Sequence, residues 1–270
     1  MTLIHVQVLA AVALSLSSLM AVAWIVQQRT GNSGWVDAIW TYSVGLISAI
    51  VAAWPLDDAL PARQLLVVGL ILLWSLRLGT HIALRSLGGA DDPRYASYAQ
   101  EWGPAAPRRM FAFLQAQAFV SVPIAFAAFV AAHAPQSDLR MQDYAGAAMA
   151  LAAIVGEAVA DEQLRRFKTH PANVGRVCDI GLWRWSRHPN YFFEWLGWLA
   201  YPVIALSPAY PWGWASLAAP AVMYWILVHV SGIPPLEAQM LRSRGDRYRA
   251  YQAKTSAFFP LPPQRTSRCA

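Results

Sequence analysis

The amino-acid sequence predicts an all-α fold, a polytopic membrane bundle of seven transmembrane helices with its amino terminus outside and its carboxyl terminus in the cytosol. Three observations predict it. Of the 270 residues 57% are hydrophobic and 13% charged, where a soluble domain carries about 25% charged residues, so the surplus apolar surface calls for lipid. The apolar residues fall in seven continuous runs near the roughly 20 residues that a helix needs to cross hydrocarbon. Basic residues collect between alternate runs, as they do in loops retained in the cytosol. A membrane β-barrel is set aside, because its strands read as alternating segments of about ten residues, whereas these runs are unbroken and rich in Ala and Leu.

Taken in order, the first span covers residues 3–26. It has no basic leader and exceeds the roughly 7–15-residue apolar core of a signal peptide, so it reads as a span. The second, 35–54, carries Asp37 near its cytosolic start, and the third, 65–84, carries Arg77 and His81 toward its cytosolic end, with Arg85 just beyond. Gly and Pro in Gly88-Gly89-Ala90-Asp91-Asp92-Pro93-Arg94-Tyr95 make that connection a turn. The fourth span is 110–132 and the fifth 143–159, with Asp161–Lys168 continuing the fifth as helix beyond the membrane. Pro189 suits the first turn of a helix, so it opens the sixth span, 191–206; the seventh is 212–230. The tail, 234–270, begins Pro-Pro and carries Leu236, Met240, Tyr248 and Tyr251 among basic residues, the pattern of a helix lying at the interface. No fixed repeat or linker divides the chain, so 1–270 is expected to be one membrane domain and a monomer.

In this topology 18 of the 21 Lys and Arg residues are cytosolic; Arg63 and Arg140 are outside and Arg77 lies within the third span. The net charge of +6 is what the topology requires, and nucleic acid is not an expected partner; the lipid bilayer is. Cys178 and Cys269 both fall on the reducing side and read as incidental thiols.

Ionisable groups at membrane depth face a bundle interior or a wet cavity, and here they share one level. Asp37, Arg77, His81, Glu157, Asp161, Asn190, Glu194 and His229 come from five spans and all lie toward the cytosolic leaflet. Residues four apart share a helical face, which makes stripes of Arg77, His81 and Arg85, of Glu157 and Asp161, and of Asn190 and Glu194. The pattern predicts a polar cavity open to the cytosol beneath apolar helix ends.

No zinc-ligand spacing, serine-hydrolase elbow, phosphate loop or Gly-x-Gly-x-x-Gly occurs, so no metal is expected and a nucleotide must be held by side chains, arginine above all. The densest polar segment is Gly181-Leu-Trp-Arg-Trp-Ser-Arg-His-Pro-Asn-Tyr-Phe-Phe-Glu194. This run resembles the carboxyl-terminal signature of the steroid 5-alpha-reductase family, especially its bacterial members. Asp37-Ala-Ile-Trp40, Arg77-Leu-Gly-Thr-His81 through Tyr95, Glu157-x-x-x-Asp161 with Lys168, Ser231–Glu237, and Tyr248-x-x-Tyr251 through Pro260 extend the resemblance over nearly the whole chain.

The resemblance implies an NADPH-dependent reduction of the C4–C5 double bond of a 3-oxo-4-ene steroid, or of a similar sterol-like enone, in the bacterial inner membrane. Matched by motif position, it implies nucleotide contacts from Glu157, Asp161, Lys168, His188, Asn190, Tyr191, Glu194, His229 and Glu237, and phosphate contacts from Arg85, Arg94 and Arg187. The family polarises the substrate carbonyl with a Glu on the second span and a Tyr on the third. This chain departs from both: Asp37 stands near the first position and Trp74 near the second, with Tyr42 an available substitute. Membrane methyltransferases of the isoprenylcysteine and phospholipid type, which use S-adenosylmethionine, share an Arg-His-Pro-x-Tyr segment and are the alternative. Their ligand carries no phosphate for the arginines to meet. A transporter or scaffold is a third reading, which the lack of inverted repeats disfavours.

Overall fold

A computed structural model describes residues 3–56, 59–88 and 93–264. Among the described residues the structure is helical throughout, with ten α-helices and no strand: α1 (Leu3–Thr30), α2 (Gly34–Ala52), α3 (Pro61–Leu87), α4 (Pro93–Trp102), α5 (Ala106–Ala132), α6 (Met141–Thr169), α7 (Pro189–Ala205), α8 (Ala218–Trp225), α9 (Ile233–Arg244) and α10 (Asp246–Lys254). Among the described residues six segments are long and apolar enough to cross a membrane: α1, α2, α3, Arg94–Ala132, α6 and Pro211–Arg244. The expected sixth span forms α7, which has 17 residues and Pro202 within it. At about 1.5 Å per residue it is some 26 Å long, short of the roughly 30 Å of hydrocarbon.

The residues fall into two compact units, Met1–Ala148 with Leu199–Val222, and Met149–Trp198 with Met223–Ala270. In the first unit α1 is apolar on all sides yet buries only a stripe, His5, Val8, Val12, Leu16, Met20 and Ala23. The spacing of three and four residues is one helical face; the other faces leave Leu14, Val22 and Ile25 exposed, as lipid contact allows and water does not. Small residues bring α2 against α3: a Cβ on Gly45 would meet the Ser75 side chain, one on Gly34 would reach Ser86, and Gly79 seats the Tyr42 ring. Such close backbone approach is how helices associate in lipid, where no hydrophobic force separates them from the tails. α2 also packs on α1 and α5, and Ile124–Ala132 of α5 are buried without a break, forming the centre of this unit.

In the second unit α6 continues to Thr169, ten residues past the expected span, so the extension over Asp161–Lys168 is helical. The 3-10 turn Gly181–Arg184 leads toward α7, and the Trp183 indole donates to the Ala160 carbonyl of α6 at 2.9 Å. The tail differs from a single interfacial helix. Gly245, at φ +53°, ends α9 and starts α10 in a new direction. Tyr248 and Tyr251 face the protein and are buried, with the Tyr251 hydroxyl donating to the Trp183 carbonyl. Beyond α10 the chain returns beside 185–187: Arg187 N donates to Ser256 O at 2.8 Å, Ser186 Oγ to Phe258 O at 2.8 Å, and Leu261 N to Trp185 O at 3.0 Å. The middle of the expected turn, 89–92, and the tail beyond 264, with Arg265, Arg268 and Cys269, lie outside the described residues.

Candidate functional site

In the second unit two helical stripes meet. Asn190 Nδ2 donates to Asp161 Oδ1 at 3.4 Å, and a Cβ on Gly156 would run into the Phe193 ring, so the end of α6 packs on the start of α7. Asp161 opposite Asn190 on antiparallel neighbours puts Glu157 and Glu194 at one level, each four residues and about 6 Å further along its helix. Both carboxyl groups are buried. Glu194 Oε1 also accepts the Trp198 indole N–H at 2.9 Å. The result is a set of carboxylate and amide groups presented from two helices, able to accept from hydroxyls and amides and, through Asn190, to donate.

His188, Arg187 and Glu237 form a second cluster in the same unit. Glu237 Oε1 takes Arg187 Nε at 2.7 Å and faces His188 Nε2 at 3.1 Å, while Gln252 donates to Glu237 Oε2 at 2.7 Å. Arg187 Nη1 donates to the carbonyls of Gln252 and Thr255, at 3.2 and 2.5 Å. This arginine is therefore engaged with the chain's own tail as well as with Glu237. His188 is buried and stacks on Tyr191 with ring centroids 5.6 Å apart; burial lowers its pKa below the ordinary histidine value, and Glu237 opposes only part of that shift. Lys168 and His229 are exposed. His229 sits in the π-helical turn Ile226–Val230, its ring edge-on to Tyr224 at 5.9 Å. Cys178 is buried, which pushes its thiol pKa up to about 11, so it is protonated and unreactive at neutral pH.

The first unit also holds a polar group at the start of α2. Asp37, in the first turn of α2, pairs with Arg94 and accepts the Tyr95 hydroxyl at 2.7 Å. Tyr95 is itself buried and packs edge-on to Tyr98 and Phe113. Trp74 is buried on α3 with its ring edge-on to Trp40 at 6.4 Å, and the Trp40 indole donates to Ser121 at 2.8 Å. Tyr42 bonds Thr80 across the α2–α3 contact at 3.0 Å and is over a third exposed. Arg85 is exposed near the end of α3. The structure thus joins Asp37 to Arg94 and to Tyr95, a residue the sequence reading left in a turn. A tyrosine next to an arginine in a short polar segment carries no periodic signal, and only the fold shows that α4 brings it back to α2.

Fold and sites together define a polytopic helical membrane protein with buried carboxylates on α6 and α7 and a carboxylate–arginine–tyrosine group on α2 and α4. The chain belongs to the DUF1295 family, described as proteins of unknown function, which matches residues 23–255. It is 28% identical to an uncharacterized protein of Schizosaccharomyces pombe, over 88% of this chain and 76% of the relative. No solved structure matches the chain.

Proposed function

We propose that this chain is an NADPH-dependent reductase of the C4–C5 double bond of 3-oxo-4-ene steroids, or of a similar conjugated enone lipid. The observation that carries the reading is the meeting of Asp161 with Asn190, which sets Glu157 and Glu194 side by side, on the segments that resemble the reductase signature. These groups fit a dinucleotide by chemistry: carboxylates accept from ribose hydroxyls and from a carboxamide, and an amide reads both donor and acceptor. Lys168 is exposed at the end of α6 and carries the charge that a phosphate would meet, whereas Arg187 holds the tail and Glu237. When bound, NADPH supplies the hydride that adds to the β carbon of the enone.

The charge that then develops on the carbonyl oxygen needs a donor. Tyr95 is the better candidate than Tyr42 or Trp74: its hydroxyl is buried, and Asp37, with Arg94 beside it, fixes the phenol. To donate, the Tyr95 O–H turns from Asp37, which accepts it at 2.7 Å, to the carbonyl oxygen as the enolate forms, and the resulting enol loses that proton from oxygen as the α carbon gains one. With seven spans, the carboxyl terminus and the residues of 160–190 are cytosolic, the side from which a soluble dinucleotide arrives.

The test is NADPH binding by purified protein in detergent, read by ligand fluorescence. Asn190→Ala and Glu194→Ala are expected to weaken binding at least tenfold while yield and helicity hold. Unchanged affinity in both variants, or no NADPH binding by the parent protein, contradicts the reading; retention of S-adenosylmethionine instead supports a methyltransferase.

A further inference from the structure

We propose that the turn at residues 174–176 and the corner between α9 and α10 form a binding surface for anionic phospholipid headgroups. Arg247 Nη1 donates to the Gly175 carbonyl at 3.0 Å and Arg244 Nε to the Arg176 carbonyl at 3.4 Å. Two guanidinium groups from different helices are thereby gathered on consecutive carbonyls of one turn, beside the exposed side chain of Arg176, and Arg242 adds another exposed guanidinium on α9. Gly245 at φ +53° turns the chain between Arg244 and Arg247, and Gly175 at φ +76° shapes the turn they meet.

Nearby carboxylates are committed elsewhere: Asp246 to Arg249 at 2.6 Å, Asp179 to Lys254 at 2.7 Å and Glu237 to Arg187 at 2.7 Å. Among the described residues, Arg176, Arg242, Arg244 and Arg247 have no carboxylate partner. Gathering like charges is unfavourable, and a multiply anionic partner relieves it. Guanidinium groups bind phosphate bidentately.

A lipid headgroup fits better than a soluble phosphate. Val174 is 81% exposed and Ile180 52% exposed, flanking the arginines on the same stretch of chain. Basic groups beside exposed apolar ones are the pattern of an interfacial segment, whose charges meet headgroups while the apolar side chains enter the acyl boundary. The surface is separate from the buried carboxylates assigned above to the nucleotide, and the inference stands whether or not that assignment does.

The test uses the full chain, delipidated in detergent, with dioctanoyl phosphatidylglycerol and dioctanoyl phosphatidylcholine as probes and native mass spectrometry as readout. The parent protein is expected to prefer the anionic probe. Arg176→Gln/Arg244→Gln/Arg247→Gln is expected to lose at least tenfold in that affinity, at about fivefold per basic residue near a membrane surface, with phosphatidylcholine binding unchanged. Arg165→Gln/Arg166→Gln, whose arginines both pair with Glu162, is expected to keep it. If the triple variant does not fold, the exposed pair Arg176→Gln/Arg247→Gln is read in the same way. Unchanged anionic binding overturns the proposal, and so does displacement of phosphatidylglycerol by NADPH, which would give the cluster to the nucleotide's phosphates.

Discussion

Arg63 places all five of its N–H groups on acceptors: Nε and Nη2 on the two oxygens of Asp143, Nη1 on the carbonyls of Ala134 and Gln136, and Nη2 also on that of Asp138. Neither side chain of the Arg63–Asp143 pair is exposed. Removing one partner of a buried pair leaves the other charge uncompensated, at a cost of about 3–5 kcal/mol. Arg63→Met is therefore expected to lower the unfolding midpoint in detergent sharply; a midpoint within error of the parent would refute the role. The sequence shows Arg63 only as one of two basic residues on the outer side, because nothing in a linear spacing reveals that a loop 71 to 75 residues later supplies the carbonyls. The Asp37–Tyr95 bond was hidden for the same reason, whereas Asn190, Glu194, Glu157 and Asp161 were legible because helical spacing alone puts each pair on one face. His188 makes the pH prediction. Burial lowers its folded pKa, so below the unfolded value of about 6.5 the unfolded chain binds the proton first. Its contribution is fully present above that value and is lost as pH falls toward the lowered folded pKa. Arg187 and Glu237 face it, and Glu237, whose pKa burial raises but hydrogen bonds from His188 and Arg187 bring down to about 2, stays charged across this range. Midpoints measured from pH 8 to pH 5 are expected to fall more steeply for the parent than for His188→Gln, and parallel slopes would contradict this.

At the scale of elements, the returning tail matters more than its position at the end of the chain suggests. Phe258 and Phe259 enter a cluster with Phe192, Trp195 and Tyr224 at centroid separations of 5.1–6.3 Å, and the tail backbone accepts from Ser186 and Arg187. The first helical turns of α7, with Asn190 and Glu194, are thus held by 255–261. Phe258→Ala removes a buried ring, worth about 3–5 kcal/mol, and is expected both to lower the midpoint and to open the chain after Lys254 to limited proteolysis; a protected tail would argue that the cluster is dispensable. The spans were read from sequence to within a few residues at most ends, since apolar runs determine them. The tail forms two helices where the sequence suggests one, and Tyr248 and Tyr251 pack inward, because aromatic residues on a basic segment are shared by chains packed against protein and chains packed against lipid. The burial of both rings, with the Tyr251 hydroxyl on the Trp183 carbonyl, distinguishes the two.

For the whole molecule, the number of spans decides which side each terminus occupies. Six crossings put both termini on one side, and seven put them on opposite sides. The deciding element is α7, whose 17 residues can cross only where the bilayer thins or where 3-10 turn and loop at its ends complete the passage. Seven spans with the amino terminus outside obey the distribution of arginines. Reporter fusions at the two termini are expected to give opposite readings, the carboxyl terminus cytosolic; matching readings would reduce the bundle to six. That sidedness also bears on the proposed chemistry, because a soluble dinucleotide must reach Asn190 and Glu194 from the cytosol. The central claim is hydride transfer, and the most direct measurement follows the hydride itself. Purified protein is supplied with NADPH carrying deuterium at C4 of the nicotinamide, on the transferred face, and with a 3-oxo-4-ene steroid, and the product is examined by mass spectrometry. The account predicts a saturated 3-oxo steroid with one deuterium at C5, formed by the parent protein and lost at least a hundredfold in Tyr95→Phe, within the range typical of general acid catalysis. Unreduced steroid across a panel of enones, with NADPH unconsumed, would contradict it.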